Sequence, residues 1–121
     1  IAFAAGHTAN NRRWYAPYMS GGNFNYGYGA SATGVNTTAN TANHLHTMIA
    51  GATQTDMEAF LDGFSIGTAT LVTGQPTLGG IGGVSNSFYT NGFMQEVIVY
   101  SSDQSERRLG IERNISNHYE L

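Results

Sequence analysis

Apolar and polar positions alternate with a period of two at several places in this chain and with a helical period at one. After the Ser20-Gly21-Gly22 turn, Phe24, Tyr26 and Tyr28 alternate with Asn23, Asn25 and Gly27, the pattern of a strand with one covered face. Residues 12–19 before it are aromatic and β-prone. Pro17 cannot donate to a ladder, which places it on an edge or at a bend. Residues 44–50 read as a strand with Leu45, Thr47 and Ile49 opposite His44, His46 and Met48. Residues 57–61 and 64–71 flank Asp62-Gly63, a dipeptide that accepts the positive φ angles of a two-residue hairpin turn, so they are expected to pair.

Residues 29–43 carry Ala, Ser, Thr, Asn and Gly without an apolar stripe and read as a long surface loop with room for one short strand. Residues 78–88 are broken by glycines and predict a short strand with bulges or bends. Residues 93–100, Phe-Met-Gln-Glu-Val-Ile-Val-Tyr, are apolar on both faces, which predicts a strand covered on two sides in the middle of a sandwich. Asp103 then stands three residues before Glu106 in capping-box spacing, and Ile111, Ile115 and Tyr119 recur every four residues, so one amphipathic helix closes the chain despite Gly110.

Composition sharpens this picture. The 121 residues allow one modest core, so a single domain over 1–121 is expected, and 16 glycines favour turns between short strands. The net charge of -3 and the absence of any lysine leave no basic stripe for a phosphate backbone. No apolar run approaches the roughly 20 residues that span a bilayer as a helix. Neither nucleic acid nor a membrane is an expected partner. With no cysteine, disulfides, thiolate catalysis and Cys-type zinc sites are excluded, as is a Walker-type loop without lysine.

The candidate chemistry is sparse. Asp56, Glu58 and Asp62 cluster in sequence, but a retaining glycosidase needs two carboxyls roughly 5 to 5.5 Å apart, and turn and surface roles account for all three. Glu96 lies in a strand among apolar neighbours, a setting that suits a general acid, but no second acid stands beside it. His44 and His46 are two imidazoles on one strand face, short of a closed metal site unless His7 or His118 converges with them. No catalytic residue and no dedicated metal ligand is expected. No EF-hand-type calcium loop is present, though Asp and Asn side chains with loop carbonyls could make a calcium site of the lectin kind. Trp14, Tyr15, Tyr18, Tyr26 and Tyr28 are the candidate carbohydrate-binding residues, since exposed rings beside polar groups hold sugar faces, while most such rings fill cores.

Residues 91–119, NGFMQEVIVYSSDQSERRLGIERNISNHY, resemble the closing strand and helix of concanavalin A-like, laminin-G-like jelly rolls, in the versions found in bacteriophage and marine viral structural proteins. NHLHTMIAG, EAFLDGFSIGTA and LGGIGGVSNSF follow the order of that family's later strands. The resemblance implies an all-β antiparallel jelly-roll sandwich with a short C-terminal α-helix, corresponding to the C-terminal part of a longer domain. Open sheet edges would then be completed by a preceding segment or by a neighbouring subunit. The expected function is a non-enzymatic structural or decoration module on a viral particle surface, with glycan binding on its loops. The alternative is a carbohydrate-binding domain of a secreted bacterial adhesin or polysaccharide-processing enzyme. Both place the chain on a virion surface or outside the cell.

Overall fold

The computed structural model of the chain describes residues 3–7, 12–28, 34–50, 56–70, 78–81, 83–84, 88–89 and 93–121. Its strands are β1 (Phe3–His7), β2 (Arg12–Ser20), β3 (Asn23–Tyr28), β4 (Val35–Thr38), β5 (His46–Ala50), β6 (Asp56–Leu61), β7 (Phe64–Thr70), β8 (Leu78–Ile81), β9 (Gly83–Val84) and β10 (Phe88–Tyr89). A 3-10 turn at Ser105–Arg107 leads into helix α1 (Arg108–Tyr119). The chain is thus mostly β, with one C-terminal helix among the described residues, as the hydrophobic pattern implies.

Three antiparallel sheets form: a five-stranded one in the order β4-β3-β2-β1-β8, a three-stranded one in the order β5-β6-β7, and the pair β10-β9. The three-stranded sheet lies against the five-stranded one, with β5 near β2 and β7 near β4. Between them sits the core. Phe24 and Tyr26 on β3 meet Met57 and Ala59 on β6, and Val35, Met48 and Ile66 pack around them. Alternation explains this meeting, because positions 24 and 26, like 57 and 59, share one face of their strands. Phe60 points the other way and is also buried, with the Arg108 guanidinium of α1 over its ring at 3.9 Å. β6 is therefore covered on both faces, by β3 on one side and by α1 on the other.

The turns follow their local chemistry. Asp62 and Gly63 have φ of 52° and 84°, both positive, as the expected two-residue hairpin requires. Pro17 is not on an edge, since β2 lies between β1 and β3; it sits where the β2–β3 register slips between Tyr15 and Tyr18. That bulge removes the need for its missing N–H. A second slip, in the β6–β7 register, falls between Ala59 and Phe60; Gly67, opposite Ala59, lies so close to Val35 that an added Cβ would stand 2.7 Å from its Cγ1.

One expectation is overturned. Residues 93–100 do not form the covered central strand that their composition predicts: they have no regular secondary structure, and Phe93, Ile98, Val99 and Tyr100 are exposed, Phe93 fully. A two-sided apolar run becomes a buried strand only where two layers enclose it, and the described sheets meet over β3 and β6 instead. The helix start also differs. Asp103 accepts hydrogen bonds from the N–H and hydroxyl of Ser105, but neither the 3-10 turn nor α1 has a side-chain cap, so the Asp103–Glu106 capping box does not form.

Candidate functional site

The densest polar cluster among the described residues lies at the end of the sandwich where the β4–β5 connection meets the β6–β7 turn. β3 contributes Phe24 and Tyr26, the connection contributes Asn40 and His44, β5 opens with His46, and the turn presents Asp62. Strand alternation puts Phe24 and Tyr26 on one face, and the first pairs of β5 and β6 bring His46 opposite Leu61, next to Asp62.

His44 is bound through both nitrogens: Nδ1 lies 2.7 Å from Asp62 Oδ2, and Nε2 lies 2.7 Å from Asn40 Oδ1. Leu45 N–H donates to Asp62 Oδ1 at 2.8 Å, and Asp62 N–H donates to the Leu45 carbonyl at 2.9 Å. Ala42 N–H donates to Asn40 Oδ1 at 2.8 Å. Deeper in, Tyr26 and His46 Nδ1 are 2.5 Å apart through the phenol oxygen. The Phe24 ring meets both imidazoles edge-on, with centroids 5.5 Å from His44 and 4.9 Å from His46.

Burial sets the electrostatics. It pushes the Tyr26 phenol well above its ordinary value, with the Asp62 charge adding to the effect, so Tyr26 remains a hydroxyl and donates. Burial, and then the charge of His44, lower His46 to about 4, against a smaller upward pull from Asp62. His46 is therefore neutral and accepts from Tyr26 at Nδ1, which leaves its hydrogen on Nε2.

Chemically, the cluster joins two turns and seals one end of the core. Asp62 holds Leu45 N–H with one oxygen and His44 with the other, and both His44 nitrogens are engaged within the cluster. His118 lies on exposed helix surface against Tyr119, away from the pair, and His7 has its side chain outside the described residues. No group of three or more His, Asp or Glu side chains converges among the described residues. Glu58 accepts from the Ser65 hydroxyl at 2.6 Å across the hairpin. The Asp62 oxygens are engaged elsewhere, by Leu45 N–H and His44. The Asp56 side chain lies outside the described residues. Glu96 is exposed and accepts from Tyr119 at 3.2 Å, which ties residues 93–100 to α1.

Of the candidate sugar-binding rings, Tyr26 is corrected: it is fully buried, with its hydroxyl committed to His46, and has no face to offer a sugar. Trp14, Tyr15 and Tyr18 lie on β2 and Tyr28 on β3, with Trp14 paired to Tyr28; their side chains lie outside the described residues.

Sequence reasoning missed a second polar cluster. Arg108 pairs with Glu112 one helical turn on and donates to the Gly63 carbonyl at 3.2 Å, while Glu112 is buried with Oε1 lacking a partner among the described residues. The four-residue spacing was visible. Its contact with Phe60 and the hairpin turn is tertiary and left no local signal. Compared with protein-family models, with curated proteins and with solved structures, the chain matches none.

Proposed function

We propose that this chain is a non-enzymatic structural module of the kind displayed on virus particles, working by attachment to a neighbouring protein subunit. The observation that carries the attachment is the exposed apolar ribbon at residues 93–100. Four large side chains there, Phe93, Ile98, Val99 and Tyr100, face solvent without a strand partner among the described residues. A β-prone segment in that state is a template for pairing, and natural proteins cover such segments or blunt them with charge. Glu96 is the single charge within it. The outer margins of β5 and β8 end their sheets among the described residues and offer further edges.

The virion setting rests on the resemblance of residues 91–119 to the closing part of concanavalin A-like jelly rolls, and jelly-roll connectivity belongs to the same proposal. Glycan contact through Trp14, Tyr15, Tyr18 and Tyr28 is its second element, with Tyr26 left out because it is buried.

Sedimentation equilibrium over a wide concentration range tests attachment. The wild-type chain is expected to associate, and Val99→Asp to shift it to monomer with an unchanged far-ultraviolet spectrum. A wild-type monomer at every concentration, with no association to a covering subunit, would remove the proposal. Titration with bacterial surface polysaccharides in the presence of calcium tests the glycan element, with binding expected to fall for Trp14→Ala. Sugar cleavage that disappears in Glu58→Gln would overturn the non-enzymatic reading.

A further inference from the structure

We infer that His44 carries a hydrogen on both ring nitrogens and acts as a charged clasp that locks the β4–β5 connection onto the β6–β7 turn. The inference stands on which atoms face the ring. An amide can present either its oxygen or its nitrogen to a neighbour, and here Ala42 N–H decides between them: it points at Asn40 Oδ1 at 2.8 Å, and only the oxygen accepts. That same oxygen is 2.7 Å from His44 Nε2, so Nε2 has to be the donor. On the other side of the ring, Asp62 is positioned by Leu45 N–H at Oδ1 and turns Oδ2 to His44 Nδ1 at 2.7 Å. A carboxylate only accepts, so Nδ1 has to be a donor as well. A neutral imidazole has one donor and one acceptor and cannot satisfy both neighbours; the imidazolium satisfies both.

The surroundings suit this charge state. The ring is mostly covered, its side chain 10% exposed, and the carboxylate supplies the opposite charge at contact distance. The titratable groups around it are Asp62 from the turn, His46 from β5, with ring centroids 5.9 Å apart, and Tyr26 from β3 behind His46. Tyr26 stays a hydroxyl and His46 stays neutral, so the two imidazoles sit side by side in different charge states. Only one of them faces acceptors on both sides.

With both hydrogens in place, the clasp fastens the segment that crosses from the five-stranded sheet to the three-stranded one. Loss of either hydrogen leaves Asp62 Oδ2 or Asn40 Oδ1 facing a lone pair. The fastening therefore depends on both hydrogens.

Nitrogen-15 NMR of the His44 ring in the whole chain tests the inference at neutral pH. Both nitrogens are expected to show the shifts of protonated ring nitrogens. As pH is raised, conversion of one nitrogen to the unprotonated type is expected to coincide with loss of exchange protection at the Leu45 and Asp62 amides. In Asp62→Asn, whose amide can donate to a lone pair, one ring nitrogen is expected to be unprotonated at neutral pH. An unprotonated nitrogen in the wild-type ring at neutral pH overturns the inference, as does deprotonation that leaves the protection of both amides unchanged.

Discussion

Acid should loosen the fold through His46, and the size of the effect can be worked out from the site. In the unfolded chain the imidazole takes its proton near its ordinary 6.5; in the folded chain burial and the neighbouring His44 charge hold it at about 4. Between these values the unfolded chain binds more protons than the folded one, so stability falls as pH is lowered. The contribution is complete above 6.5 and gone below about 4. At about 1.4 kcal/mol per pH unit, the interval corresponds to roughly 3 kcal/mol, and the partial exposure of the ring brings it to about 2 kcal/mol. His46→Asn removes the titration while its amide oxygen can occupy the Nδ1 position and keep an acceptor for Tyr26. Urea unfolding of both proteins across mildly acidic to neutral pH isolates this ring from other groups. Between neutral pH and pH near 4, the wild type is expected to lose about 2 kcal/mol more than the variant. Parallel stability curves would refute the burial of a neutral, hydrogen-bonded His46.

Three further outcomes follow from the backbone and the helix dock. Gly110 lies inside α1 with nothing within 4 Å of an added Cβ, so Gly110→Ala should stabilise the chain by about 0.5 to 1 kcal/mol, read as a raised urea midpoint. Gly67 has φ +136° and an added Cβ would stand 2.7 Å from Val35 Cγ1, so Gly67→Ala should cost about 1 to 3 kcal/mol in the same measurement. Arg108→Ala would leave the buried Glu112 carboxylate without its partner and should cost about 3 kcal/mol, while the double change Arg108→Met with Glu112→Leu should recover most of it.

The elements that local chemistry specifies were legible in the chain. The 24, 26, 28 alternation, the Asp62-Gly63 turn and the 111, 115, 119 spacing each mark a structure that a short segment dictates by itself. Residues 93–100 were misread because an apolar run on both faces records a capacity for burial, and which layers enclose it is decided elsewhere in the chain. For Pro17 the missing donor leaves an edge or a bend open, and the register slip in the central strand β2 is of the second kind. The histidine cluster was half legible. His44 and His46 stood out as a pair, and Asn40 shares the connection with His44, but Asp62 and Tyr26 come from two other segments and no spacing along the sequence announces them.

Attachment through the exposed ribbon is tested most directly by amide hydrogen exchange at residues 97–100, followed from dilute solution to concentrations where the chain associates. Exchange at these amides is expected to be fast in the dilute chain and to slow markedly on association, while the β3 and β6 amides stay protected throughout. Fast exchange at residues 97–100 in the associated state would contradict the account, because whatever holds the subunits together would then lie elsewhere.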